Sequence, residues 1–412
     1  MYYSSKVKIL LLIIILDIFL LSGCSPKIIY ENNYIEGQDH QFYYYSNESA
    51  NSMAESEDGY YFLAGEYLYF ADKATMTPVI VCYKPNCLHN GETDSTKTLY
   101  CNAFFQGAKS LFYYEGSLYI STTHYVTNTK SEFLKVSVDG TKRKILFEID
   151  GEISSAALHR GVLYYAAQVW DENGKATVSV NAAKLNGKSK EIYKETFGYG
   201  NVNDIICYGN YVYFNTFDIT ENGTKYKTVI HDILTEETNV LFDNPIMVST
   251  GKPVFIDDKM YYREAKLDFP DMSLAYQQEF IADLDGSNAN ISFDLGFPVD
   301  VNSDGQYLYA RDIEWSPFSK PIDEQMLTIY TIDGKVVDSI YTGSFGRILS
   351  LIPGGKEHMF LQQEDSNFFR IYYADKSQIS TGNLEWKLLF EIEQKKMHPV
   401  VTQVFKKGET ME

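Results

Sequence analysis

Gly209-Asn-Tyr-Val-Tyr-Phe214 sets a turn former directly ahead of alternating aromatic and β-branched residues. The phrase decides the fold because it recurs. Variants are Gly59-Tyr-Tyr-Phe62, Gly116-Ser-Leu-Tyr-Ile120, Gly161-Val-Leu-Tyr-Tyr165, Asp258-Lys-Met-Tyr-Tyr262, Gly305-Gln-Tyr-Leu-Tyr309 and Gly355-Lys-Glu-His-Met-Phe360. The intervals between these turns are 57, 45, 48, 49, 47 and 50 residues. A period of two along a short segment places alternate side chains on opposite faces of a β-strand.

A second phrase lies between the first ones. Val136-Ser-Val-Asp-Gly140, Ala183-Lys-Leu-Asn-Gly187, Ala282-Asp-Leu-Asp-Gly286 and Thr331-Ile-Asp-Gly334 each join two further strand-like segments. Asn-Gly and Asp-Gly suit two-residue hairpins, where both central positions take positive φ, so these acidic residues read as turn formers. Each repeat then holds two hairpins in about 48 residues. Four-stranded units at such a period specify an all-β fold, the β-propeller. Seven blades are counted, and six or eight remain compatible. The ends are the least defined, since a propeller ring usually closes by pairing strands from both chain ends. Tyr43-Tyr44-Tyr45 or Val400 to Phe405 are the candidate closing strands.

Composition agrees. The chain carries 34 Tyr and 25 Phe against 10 Met, which suits half-buried pleated surfaces. With 55 acidic and 36 basic residues the formal charge is −19, which argues against nucleic acid and anionic headgroups as partners.

The Leu-Tyr-Tyr strands and Leu-Asp-Gly turns resemble TolB-like and low-density-lipoprotein-receptor-like propeller repeats. The chain as a whole is similar to propeller lipoproteins of Gram-positive gut bacteria. TolB-like members usually have six blades, so a count of seven departs from that pattern. The resemblance bears on fold and is nearly silent on function.

The N-terminus reads as an export signal. Lys6 and Lys8 precede an apolar run from Ile9 to Leu20, interrupted only by Asp17, and Leu21-Ser22-Gly23-Cys24 resembles a lipobox. The run is short for a membrane span, which needs about 20 residues. The expected organisation is a signal peptide over 1–23, a lipid-anchored flexible tether over 24–40, and a propeller over 41–412. Cys24 would carry the lipid, which would hold the protein at the extracytoplasmic face of the cell membrane.

A cysteine-containing insertion at 82–101 follows the first repeat: Cys82-Tyr-Lys-Pro-Asn-Cys87-Leu-His89, then Cys101. The resemblance implies that a similar Cys-Lys-Pro-x-Cys-x-His element with a third Cys belongs to those lipoproteins. Three thiols and an imidazole are a tetrahedral zinc donor set. An exported protein can equally form a disulfide, Cys82–Cys101 or Cys82–Cys87, or bury three reduced thiols. Cys207, in an apolar strand, is expected to be buried and inert.

Strands A to D of a propeller blade run outward from the axis. The B–C loops and D-to-A crossings share one face, and this face is expected to carry the long loops. These are 121–131 with His124 and Tyr125, 168–175 with Trp170 and Asp171, 217–225, 266–276, and 311–323 with Trp315 and Phe318. Trp170, Trp315 and Phe318 offer stacking surfaces, and Asp171, His124 and Tyr125 offer polar contacts; packing of the loops upon themselves is the alternative. The chain shows no nucleophile elbow, His-Glu-x-x-His helix or phosphate loop. The expectation is a non-enzymatic binding or interaction module for an extracellular glycan, peptide or protein. A polysaccharide-degrading glycosidase or lyase, which would need paired carboxylates, is the alternative, and an assembly factor acting through protein contacts is a third.

Overall fold

The computed structural model describes residues 32–46, 51–89, 101–124, 130–268, 273–296, 299–313 and 320–397. Seven antiparallel sheets stand in chain order, each formed from consecutive strands. Blade 1 is β1–β4 (Met53–Glu55, Gly59–Ala64, Tyr67–Asp72, Pro78–Ile80), and blade 2 is β5–β8 (Ala108–Tyr114, Ser117–His124, Lys130–Ser137, Arg143–Asp150). Blade 3 is β9–β12 (Glu152–His159, Val162–Trp170, Ala176–Lys184, Ser189–Phe197), and blade 4 is β13–β16 (Gly200–Tyr208, Tyr211–Thr220, Gly223–Asp232, Thr238–Asp243). In blade 5 the inner strand is split into β17 (Val248–Thr250) and β18 (Val254–Ile256), followed by β19–β21 (Lys259–Asp268, Ser273–Ala282, Asn290–Ile291). Blade 6 is β22–β25 (Val299–Ser303, Leu308–Asp312, Met326–Tyr330, Val336–Tyr341), and blade 7 is β26–β29 (Ile348–Ile352, His358–Glu364, Phe368–Asp375, Lys387–Glu393). The seven-bladed propeller read from the repeat is therefore the fold.

The first recurring phrase opens strand B in every blade, and the Asp-Gly and Asn-Gly phrases join C to D in blades 2, 3, 5 and 6. The aromatic positions of strand B explain the tyrosine content. Tyr60, Tyr119, Tyr213, Tyr261 and Tyr309 are fully buried between blades. Their rings fill the wedge between two twisted sheets, and such aromatic pairs prefer edge-to-face or offset arrangements. The inner strands carry register shifts at Ala108/Ser110, at Ala166/Ala167 (opposite Ser155/Ile153), at Asn203/Ile206 and at Ile348/Ser350. In blade 5 the same region widens to Gly251-Lys252-Pro253, where proline removes a ladder donor and the strand breaks.

No described blade borrows a strand from the other end of the chain. The expected closing strand at Tyr43-Tyr44-Tyr45 is instead a 3-10 turn over Phe42–Tyr44, and Val400 to Phe405 lies outside the described residues. Blades 7 and 1 meet through side chains: Tyr60 packs edge-on against Phe360 at 4.9 Å, and Phe62 against Phe390 at 5.3 Å. A short helix, α1 (Gln394–Met397), then reaches the B–C turn of blade 1, where Glu66 N–H points to the Met397 carbonyl at 3.4 Å.

Residues 32–46 form a strap across the face of the A–B turns. Gln38 accepts from Arg160 N–H of blade 3 at 2.8 Å, and Gly354 N–H of blade 7 donates to the Tyr43 carbonyl at 3.1 Å. Gln41 exchanges two hydrogen bonds with the Glu55 backbone of blade 1. Tyr45 donates to Asp204 of blade 4 at 2.6 Å, and Phe42 packs against Phe255 of blade 5. The strap's apolar rings are buried, so the entropy of ordering it is offset by aromatic burial. Asp39 and His40, inside the span 24–40 expected as a tether, are buried parts of the fold.

Candidate metal centre and the open face

The strap covers one face; the B–C turns and D-to-A crossings form the other. The turns on this open face are shorter than the sequence suggested, because the hairpin ladders run on. β6 extends to His124, β10 to Trp170 and β14 to Thr220, leaving a two-residue turn, Glu221-Asn222, in blade 4. The long connection of this kind is 313–325 in blade 6.

The crossing from blade 1 to blade 2 carries the cysteine insertion. Ligand atoms of Cys82, Cys87, His89 and Cys101 all lie within 4.8 Å of one another, and Cys101 Sγ is 3.7 Å from His89 Nδ1. With Zn–S near 2.3 Å and Zn–N near 2.0–2.1 Å, the edges of a tetrahedral site are about 3.5–3.8 Å. A disulfide would need sulfurs at about 2.05 Å, and all four described cysteines are free thiols.

Local geometry supports the clustering. Asn86 and His89 both hold positive φ, at 63° and 54°, so the chain doubles back between Cys82 and His89. Tyr67 Oη donates to the His89 carbonyl at 3.1 Å, and Phe105 N–H to the Glu66 carbonyl at 2.7 Å, which fixes the crossing to blade 1. Burial raises the Cys82 thiol, yet backbone N–H groups of Lys84 and Asn102 and the neighbouring thiols outweigh it and leave it below its ordinary value. Burial, together with the charge on Cys82, pushes Cys101 up to about 12. A divalent cation held by these four groups would displace the protons of the thiols it binds.

The other predicted site residues are scattered around the ring. Trp170 ends β10 and is 48% exposed; it stands 6.5 Å, centroid to centroid, from Tyr199, which is 63% exposed. Tyr199 lies on the crossing from blade 3 to blade 4, and its carbonyl accepts from Ile219 N–H at 2.9 Å. Only the fold brings these rings together. Asp171 is engaged by its own turn, accepting from Asn173 N–H at 2.9 Å and Lys175 N–H at 2.8 Å, and these bonds hold its carboxyl below the usual range. His124 faces Glu132 at 3.5 Å in a hollow shared with Arg143 and Phe105, next to the cysteine crossing. Cys24, Tyr125, Trp315 and Phe318 lie outside the described residues. Cys207 is buried between blades 3 and 4, as expected.

The broken inner strand of blade 5 opens a pocket of about 360 Å³ between blades 4, 5 and 6. Met247, Leu267 and Ile313 of its lining adjoin turns of the open face. Lys252, in the break, donates to Asn302 at 2.5 Å and lies over the Tyr45 ring of the strap at 5.2 Å. Arg263, on β19, donates from Nε to Glu279 at 2.9 Å. Burial raises the Glu279 carboxyl despite Arg263, but no second described carboxylate of raised pKa faces it; the other is Asp39, on the strap.

No protein-family model matches the chain, and no curated protein matches its sequence. Solved structures do match its shape. A prolyl endopeptidase aligns with TM-score 0.54 at 10% identity, over 86% of this chain and 51% of that one, so this chain spans about half its length. The propeller domain of the trilobed protease from Pyrococcus furiosus aligns with TM-score 0.48 at 13% identity, covering 68% and 82% of the two chains. An oligogalacturonate lyase solved with manganese aligns at 0.44 and 10% identity, covering 79% and 87%. At these identities the likeness is one of fold.

Proposed function

We propose that this propeller is a lipid-anchored module outside the cytoplasmic membrane, binding an extracellular glycan, peptide or protein through its open face. Zinc, held by Cys82, Cys87, His89 and Cys101, would staple the crossing on that face. The observation that carries this reading is the four-ligand cluster on the open face, opposite the face that the strap seals. A structural zinc fixes a loop that has little apolar core of its own. The exposed Trp170–Tyr199 pair supplies aromatic surface of the kind that stacks on sugar rings or apolar side chains. Export and lipid attachment rest on Lys6, Lys8, the apolar run and the Leu21-Ser22-Gly23-Cys24 sequence. A strap that leads from Cys24 to the sealed face would turn the open face away from the bilayer.

Incubating the purified chain with a glycan array and a polysaccharide panel tests the binding reading. Retention that falls by about tenfold in Trp170→Ala, with stability changed by less than about 1 kcal/mol, is the expected result. Cleavage of a panel member would replace binding alone with a glycosidase or lyase. Absence of retention would redirect the reading to protein partners.

A further inference from the structure

We infer that the pocket between blades 4, 5 and 6 binds an amphipathic carboxylate, an apolar body ending in one carboxylate, with Arg263 and Lys252 receiving the acid. The inference deepens the reading of the open face as a binding face and rests on it. Three observations carry it. The first is the opening itself. Gly251-Lys252-Pro253 breaks the inner strand of this blade, where blades 2, 3, 4 and 7 have only a bulge. Gly251 N–H still bonds the Arg263 carbonyl at 2.9 Å, so the break is a fixed part of the sheet.

The second is the wall. Met247, Val254, Leu267, Val299 and Val301 line the space, so an entering apolar chain is desolvated there. The third is the charge. In a chain of net charge −19, the charged side chains lining this pocket are Arg263 and Lys252 against the single acid Asp300. Asp300 already accepts from Asn302 at 3.1 Å and lies 3.9 Å from Arg311. The Arg263 guanidinium uses Nε on Glu279 and Nη1 on the Val299 carbonyl at 3.3 Å. Its buried Nη2 has no hydrogen-bond partner among the described residues. A cationic donor in an apolar enclosure is satisfied best by an anionic oxygen, and an arginine edge matches carboxylate geometry. A volume of about 360 Å³ is at the small end of ligand pockets.

The test is calorimetric titration of the full zinc-loaded chain with octanoate, octanol and octylamine. A second arm uses an apolar tripeptide with a free or an amidated C-terminus, which separates free acids from chain termini as the source of the carboxylate. Saturable one-to-one binding of a carboxylate, with octanol weaker by about tenfold or more, is expected for one charge-assisted hydrogen bond. Ala265→Trp, which fills the pocket, abolishes binding. Because Arg263→Met alone strands Glu279, the paired change Arg263→Met with Glu279→Gln is used, and it removes the preference for octanoate over octanol. Equal binding of octanol, tighter binding of octylamine, binding that survives Ala265→Trp, or no saturable binding of any carboxylate would overturn the assignment. If carboxylates fail while glycan or peptide retention persists, the pocket assignment falls and the open-face reading stands.

Discussion

At the residue scale the sealed face depends on groups that must stay in one protonation state. His159 Nδ1 accepts from His40 N–H at 3.0 Å while Nε2 faces the Gly209 carbonyl at 2.9 Å, which fixes the neutral Nε2–H tautomer. His40 is held alike, with Nε2 against Asn51 Oδ1 at 3.0 Å and Nδ1 accepting from Cys207 N–H at 3.4 Å. Burial pulls the two imidazoles down to about 4 and about 3. A lowered folded pKa means the unfolded chain binds the proton first. The stability is therefore fully present above the ordinary value of 6.5 and is lost as pH falls towards about 4. Each histidine contributes on the order of 3 kcal/mol to that slope. Asp39 acts the other way, since burial raises its carboxyl despite Arg160, and it offsets part of the loss. Thermal melts across this range should show a steep fall in Tm for the parent and a shallower one for His159→Gln. Arg160 holds Asp39 through Nε at 2.6 Å and Nη2 at 3.1 Å, both groups buried. Arg160→Ala leaves that carboxylate unpaired and should cost about 3–5 kcal/mol in denaturant unfolding.

At the element scale, the repeat was legible because turn chemistry and period two coincide in every blade. The seven phrases beginning at Gly59 and ending at Gly355 each open a strand B. Loop lengths were not legible, because nothing local distinguishes a ladder that continues to Trp170 from one that stops at Gln168. The strap was missed for a related reason. Phe42-Tyr-Tyr-Tyr45 has strand composition, and only its contacts with blades 1, 4, 5 and 7 make it a cover. In the candidate site, Cys82, Cys87, His89 and Cys101 were legible as a donor set, while Tyr199 and Arg263 were not, since their significance lies in neighbours from other blades. Ring closure has its own test. Gly65 sits at φ 61°, and a Cβ there would come 2.1 Å from the Met397 carbonyl. Gly65→Ala should displace α1 from blade 1 and destabilise the chain by about 1–3 kcal/mol, seen as faster amide exchange in Gln394–Met397.

At the scale of the whole molecule, the faces are unequal. The strap seals the side on which the chain enters, and the cysteine crossing, the Trp170–Tyr199 pair and the blade 5 pocket all lie on the other. Among the described residues blades 7 and 1 exchange no strand and are joined by side-chain packing, and the strap adds bonds from both of those blades to one segment. Within this arrangement the cysteine crossing forms part of the open face, and the zinc proposed there is the claim that most needs a test. The direct measurement is elemental analysis of the chain purified without chelator, joined to X-ray absorption at the zinc edge. One zinc per chain with three sulfur ligands and one nitrogen ligand is expected, lost in Cys101→Ser with a lowered Tm. A metal-free protein, or a disulfide among Cys82, Cys87 and Cys101, would contradict it.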